Sequence, residues 1–228
     1  MSNALLEAIR SRDVDRLATL LAAGADPNEA GKSRYSGRDV PPLHAAIWEL
    51  EGSGEDDPDG PEPPGPIDSV VLLLRYGAKV KGWDVDKEGD PLLIAVFNNH
   101  IEAVRLLLAA GADSNVCDDE GDSPLRICAE KGYLEMARLL LLCGATKTIH
   151  AGAGPTGMNA LGFAATRLHV DMVRLLLAHG ADPLIEDGDD MTTFRRLGLT
   201  VKFGRVPEDP AAQERLREIR KLLGEPFA

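Results

Sequence analysis

Leucine-rich stripes recur along this chain at Leu17–Leu21, Val70–Leu74, Val104–Leu108, Ala137–Leu141 and Val173–Leu177. Within each, apolar side chains fall at helical spacing, so one face of a helix is buried. A Gly-Ala pair stands just past every stripe, at Gly24, Gly77, Gly111, Gly144 and Gly180. Glycine there supplies the left-handed residue that ends a helix. Successive glycines lie 53, 34, 33 and 36 residues apart, a fixed period with one enlarged interval. A second kind of segment precedes the last four stripes: PPLHAA (Pro41–Ala46), DPLLIA (Asp90–Ala95), SPLRICA (Ser123–Ala129) and NALGFAA (Asn159–Ala165). Ser, Asp or Asn at its start accepts a hydrogen bond from a free helical N–H. Proline fits the first helical turn, where its missing N–H is not needed. Ala46, Ala95, Ala129 and Ala165 are small enough for neighbouring helices to approach closely. Each unit therefore predicts a turn, a helix, a short loop, a second helix and a glycine cap.

The segment GDSPLRICAEKGYLEMARLLLLCGA (Gly121–Ala145) resembles an ankyrin repeat in its period and in the T-P-L-H-x-A signature. The resemblance runs from about Asn3 to Asp190, in five units with a degenerate sixth. It implies an all-α ankyrin-repeat solenoid of stacked helix-turn-helix units with projecting fingers, forming one domain over residues 1–228. On that reading an N-terminal cap covers about 3–28, and repeats cover about 29–81, 82–115, 116–148 and 149–184. A degenerate cap covers about 185–228, where the charged segment Ala211–Gly224 turns one face to water.

Against this register the extra residues can be located. Pro124 to Gly144 spans 20 residues, whereas Pro42 to Gly77 spans 35. The surplus lies in ELEGSGEDDPDGPEPPGP (Glu49–Pro66), which holds seven acids and no base. Residues 51–66 cannot bury enough apolar surface to fold and read as a solvated, disordered loop, or as an acidic tongue touching a basic partner. Two connectors are also long: Gly24 to Pro42 spans 18 residues and Gly144 to Ala160 spans 16, against 13 from Gly111 to Pro124. In ankyrin proteins such connectors are projecting fingers, so these insertions lengthen an expected binding edge.

Charge narrows the partner. The formal net charge is −12, with −15 over residues 1–190 and +3 over 191–228. That balance argues against nucleic acid and anionic membrane and favours a protein with a basic face. Three cysteines, Cys117, Cys128 and Cys143, form an odd set that reads as reduced thiols. The start MSNALLEAIRSRD carries charges where a leader's apolar core would lie, and no stretch is long enough to span a membrane. A cytoplasmic protein, monomeric when free, is the expectation.

Candidate chemistry is sparse. The repeat pattern accounts for His44, His100, His169 and His179 as structural residues, leaving His150 on a variable finger. Gly152–Gly157 (GAGPTG) lacks the Gly-Lys-Ser/Thr ending of a phosphate loop. No His/Cys set has metal-ligand spacing, and no nucleophile, base and orienter can be assembled. The expectation is a non-enzyme without cofactor or metal.

The resemblance implies instead a concave face lined by fingers and by two variable residues near the end of each first helix. Those pairs are Arg10 and Ser11, Trp48 and Glu49, Phe97 and Asn98, Glu130 and Lys131, and Thr166 and Arg167. Trp48 and Phe97 are large apolar exceptions in a polar row. Trp83 stands on a finger, at a position that Cys117, His150 and Glu186 take in the later repeats, and Tyr35 on the extended first finger. The candidate partner-binding residues are thus Tyr35, Trp48, Glu49, Trp83, Phe97, Asn98, Glu130, Lys131, His150 and Arg167. Trp48 packs under the insertion and Trp83 against a finger, or both anchor a partner; the residues leave both readings open. The expected function is a protein-interaction module with an acidic concave groove. The alternative is a dedicated inhibitor, such as an immunity protein or antitoxin, that blocks an enzyme with a basic active site.

Overall fold

The computed structural model describes residues 2–32, 39–51, 65–82 and 89–224. Twelve α-helices occur among them, with one antiparallel strand pair of two residues each. The chain divides into two compact units, residues 1–113 and 114–228.

The first unit holds α1 (Ser2–Arg10), α2 (Val14–Ala22), α3 (Pro42–Trp48), α4 (Asp68–Arg75), α5 (Pro91–Phe97) and α6 (Ile101–Ala109). Helices α1, α3 and α5 pack in a row, with α2 against α4 behind them. Leu5, Leu6, Ile9, Leu17, Leu43, Ile47, Leu73, Leu92 and Leu107 are fully buried between these layers. The short strands Gly31–Lys32 and Asp39–Val40 close the base of the first finger. Asp13 and Asp90 cap α2 and α5, each accepting backbone N–H groups of the first turn.

The second unit holds α7 (Pro124–Lys131), α8 (Leu134–Leu142), α9 (Ala160–Thr166), α10 (Val170–Ala178), α11 (Thr193–Lys202) and α12 (Pro210–Leu223). Here α7, α9 and α11 form one layer, and α8, α10 and α12 the other. Ser123, Asn159, Thr192 and Asp209 supply the N-caps. Helix α12 seals the end of the layer. It buries Ala212, Leu216, Ile219 and Leu223 and turns Glu214, Arg215, Arg217 and Lys221 to water.

The five period-setting glycines have φ between 88° and 93°, and a Cβ on any of them would meet nothing within 4 Å. Backbone conformation, not space, requires glycine there. The following alanine N–H closes each cap, as Ala145 does on the Leu140 carbonyl at 3.0 Å. A second left-handed residue lies inside each of four helix pairs: Arg12, Asn99, Gly132 and Leu168. Gly132 is also sterically confined, since a Cβ there would lie 2.9 Å from the His169 ring.

The enlarged interval falls between α3 and α4. A 3-10 turn, Glu49–Glu51, follows α3. The chain returns at Gly65, whose N–H donates to the Glu49 carbonyl at 2.7 Å. Residues 52–64, most of the acidic insertion, lie outside the described residues.

Candidate partner-binding surface

The row of variable positions can be followed within each unit. In the first, Trp48 and Phe97 occupy the same repeat position, six residues after Pro42 and Pro91, on helices that pack together. Trp48 is 43% exposed and Phe97 58% exposed. The His44 imidazole meets the Trp48 indole edge-on, with centroids 6.4 Å apart. Glu49 and Asn98, which follow them, are half-buried residues at the C-caps of α3 and α5.

In the second unit the same row is polar and self-paired. The Arg167 guanidinium donates to a Glu130 carboxylate oxygen at 2.9 Å. It also lies 5.7 Å from the centroid of the buried Phe163 ring. Lys131 is exposed beside the left-handed Gly132. The structure thus places Trp48 and Phe97 at one repeat position on packed helices, and pairs Glu130 with Arg167. Tyr35 and Trp83 lie outside the described residues.

His150 is not in this row. Its Nε2 accepts the backbone N–H of Asp182 at 2.9 Å, tying one finger to the start of the next. Two asparagines make the equivalent tie earlier in the chain. Asn28 accepts from the Lys79 N–H at 2.7 Å and donates to the Gly77 carbonyl; Asn115 accepts from the Lys147 N–H at 3.0 Å and donates to the Gly144 carbonyl. As an acceptor, Nε2 carries no proton, so the Nδ1–H tautomer fits the bond.

The fingers are positioned from below by residues at the signature histidine position. In the first unit this is His44, fully buried, whose Nε2–H donates to the Gly89 carbonyl at 3.0 Å. Burial lowers its pKa to about 4, and the Gly89 hydrogen bond opposes the shift. The imidazole is therefore neutral at pH 7. In the second unit Arg126 takes the position and is 3% exposed. It donates from Nε to the Met158 carbonyl at 2.7 Å and from Nη2 to the Ala153 carbonyl, and pairs with Asp122. Its Cζ sits 4.9 Å from the centroid of the Phe163 ring. Burial pulls its pKa down, while Glu130, Asp118 and Glu120 raise it. A guanidinium stays charged even so.

Backbone bonds lace the three fingers of this unit together. Gly154 donates to the Glu120 carbonyl at 2.9 Å, and Gly188 to the Gly157 carbonyl at 2.8 Å. Asp187 anchors the last finger. Its carboxylate accepts from Arg196 Nε at 2.7 Å and from the backbone N–H groups of Asp189 and Met191. Burial opposes its ionisation, but the Arg196 and backbone donors outweigh it and hold the carboxyl below its usual range.

Sequence reasoning missed Arg126 and Asp187 as finger anchors. The signal available for Arg126 was its place in SPLRICA, where PPLHAA has His44. Spacing gave no signal for His150, which stands six residues after Gly144, whereas Asn28 and Asn115 stand four after their cap glycines.

Free thiols stand at Cys117, Cys128 and Cys143. Burial pushes the Cys128 thiol pKa up, so it stays protonated. No group of three or more His, Cys, Asp or Glu able to hold a metal occurs among the described residues. Among them, too, no helix is long and apolar enough to cross a membrane.

Comparison with known proteins places this geometry. One match among solved structures is a chain from a complex of a predatory endopeptidase from Bdellovibrio bacteriovorus with an immunity protein. The two chains are 21% identical, with a TM-score of 0.68 over 96% of this chain and 98% of that one. At that identity the likeness speaks to fold alone. Among curated proteins none matches the sequence. A family profile for ankyrin repeats, in three copies, matches residues 65–151 and 92–187. Those spans cover more than half of the chain and contain α4 to α10 with the caps at Gly77, Gly111, Gly144 and Gly180; the chain belongs to the ankyrin repeat family.

Proposed function

We propose that this chain is a non-catalytic protein-binding module that engages its partner through first-helix ends and fingers, with Trp48 and Phe97 as apolar anchors. One observation carries the reading. Two large apolar side chains, both well exposed, stand at the same repeat position on helices packed against each other. Scattered surface hydrophobics are normal, but paired aromatics at a position that elsewhere carries Glu130 and Thr166 are not. Ankyrin membership supports a protein partner, and the acid surplus supports one with a basic face. The same reading takes the protein as a cytoplasmic monomer when free, with its cysteines as reduced thiols.

The test measures two quantities on one variant. Trp48→Ala should weaken partner binding by ~2 kcal/mol, roughly thirtyfold. Its folding stability should fall by less than ~1 kcal/mol, because an exposed side chain adds little to the core. A stability loss of ~3–5 kcal/mol with binding unchanged would mark Trp48 as a packing residue and end the anchor reading.

A second reading makes the chain a dedicated inhibitor of an enzyme with a basic active site. It is favoured by the nearly end-to-end alignment with a chain from the endopeptidase–immunity protein complex. Affinity purification separates the two. Stoichiometric recovery of one enzyme, inactive with this chain and active without it, selects inhibition. Recovery of partners whose activity does not change selects an adaptor.

A further inference from the structure

Asn28 and Asn115 each stand four residues past a cap glycine, Gly24 and Gly111, and each ties its finger with two bonds. Each accepts a backbone N–H and donates to a cap-glycine carbonyl. After Gly144 the same place is taken by Thr148. Its hydroxyl is buried and has no hydrogen-bond partner among the described residues. The tie has passed to the half-buried His150, two residues on, as one bond from the Asp182 N–H to Nε2 at 2.9 Å. An amide oxygen accepts at any ordinary pH. An imidazole nitrogen accepts only while it carries no proton, and imidazoles ordinarily change charge between about pH 5 and 8. Protonated, Nε2 would set a donor against the Asp182 donor, and the bond would be lost.

We propose that the bond between His150 and Asp182 is an acid-released latch between two fingers, and, resting on the binding reading above, that its release weakens the partner's hold. In the repeat register the titratable groups beside His150 are Lys147 on its own finger, Cys117 and Asp118 on the preceding one, and Asp182 and Glu186 on the following one. Apart from Lys147 the charges are carboxylates. A protonated ring that turns to one of them leaves the Asp182 N–H. The two fingers stay joined where Gly188 donates to the Gly157 carbonyl, so the release is local.

Hydrogen exchange of single amides, followed by NMR on the full chain, tests the latch. As pH falls from about 8 to about 5, the range in which imidazoles titrate, the Asp182 amide should lose about threefold or more of its protection, once the intrinsic pH dependence of exchange is removed. The Lys79 and Lys147 amides, held by asparagine, should keep theirs, which separates the latch from a general loosening in acid. His150→Gln offers an amide oxygen in place of Nε2 and does not titrate, so Asp182 protection should stay level in it. For the protein recovered by affinity purification, Kd should rise about threefold or more over the same interval with the native chain, and by less with His150→Gln. Asp182 protection that holds throughout, or that falls equally in His150→Gln, overturns the inference, as does a Kd that rises equally with both chains. The binding reading is judged separately, by Trp48→Ala at neutral pH, where the latch is closed in both chains.

Discussion

His44 in the first unit and Arg126 in the second stand at the same repeat position and do the same job by different physics. Each is buried and each donates a hydrogen bond to a carbonyl of the following finger. The imidazole meets the cost of burial by giving up its charge. The guanidinium cannot be discharged, so it brings Asp122, the Met158 and Ala153 carbonyls and the Phe163 ring to its side. A neutral tie asks little of its surroundings. A charged tie demands partners, and the partners fix the path of residues 153–158.

The sharpest way to break that contrast is at Arg126. Arg126→Leu should destabilise the protein by about 3–5 kcal/mol, because it leaves Asp122 without its counter-charge and two carbonyls without a donor. Arg126→His, which copies the first unit's solution, should recover part of the loss. Denaturant unfolding measures both, and equal losses would mean that the position needs bulk rather than donors.

Acid sharpens the comparison from the other side. The folded-state pKa of His44 lies below the unfolded value of 6.5, so the unfolded chain takes up the proton first. Stability linked to His44 is fully present above pH 6.5 and is lost as pH falls toward about 4. The loss reaches on the order of 3 kcal/mol. His44→Gln keeps an N–H donor without titrating and should flatten this part of the profile. Arg126 contributes no such slope in that window. A melting profile just as steep in His44→Gln would assign the acid sensitivity elsewhere.

The smallest effect separates the left-handed residues inside the helix pairs. Asn99→Gly in the first unit should stabilise by up to about 0.5 kcal/mol, since φ is 58° there and the residue is exposed. Gly132→Ala in the second should cost about 1–2 kcal/mol through its φ of 79°, and more if the His169 ring cannot yield. Thermal melts of the two variants should move in opposite directions.

The helix pairs could be read from the chain because leucine stripes and cap glycines are local signals repeated at one period. Trp48, Phe97, Glu130 and Arg167 could be placed in a row for the same reason, since counting from the first residue of each first helix fixes their position. Exposure could not be read that way: whether Trp48 faces water depends on what the inserted residues do, and no local pattern encodes that. Nor could the pairing of Arg167 with Glu130, which lies 37 residues away. Arg126 was visible only as a mismatch to PLH. Its role depends on where a finger 27 residues later passes, and fingers follow no repeat pattern. His150 looked free for the same reason, yet its ring closes a tie made elsewhere by Asn28 and Asn115.

The hydrogen bond from Gly65 to the Glu49 carbonyl has a modular consequence. It brings the two ends of the insertion together at the foot of α3, and it tolerates only glycine on its donor side, since a Cβ there would lie 2.6 Å from the Glu49 oxygen. The helix pair therefore meets a closed doorway instead of a long tether. Closing entropy grows slowly with loop length, about 0.6 kcal/mol for each doubling, so a longer stretch between residues 52 and 64 should cost the closed ends little. Sequence changes in that stretch should therefore leave the helix pair standing only where Gly65 is kept, which thermal melts of loop variants would check.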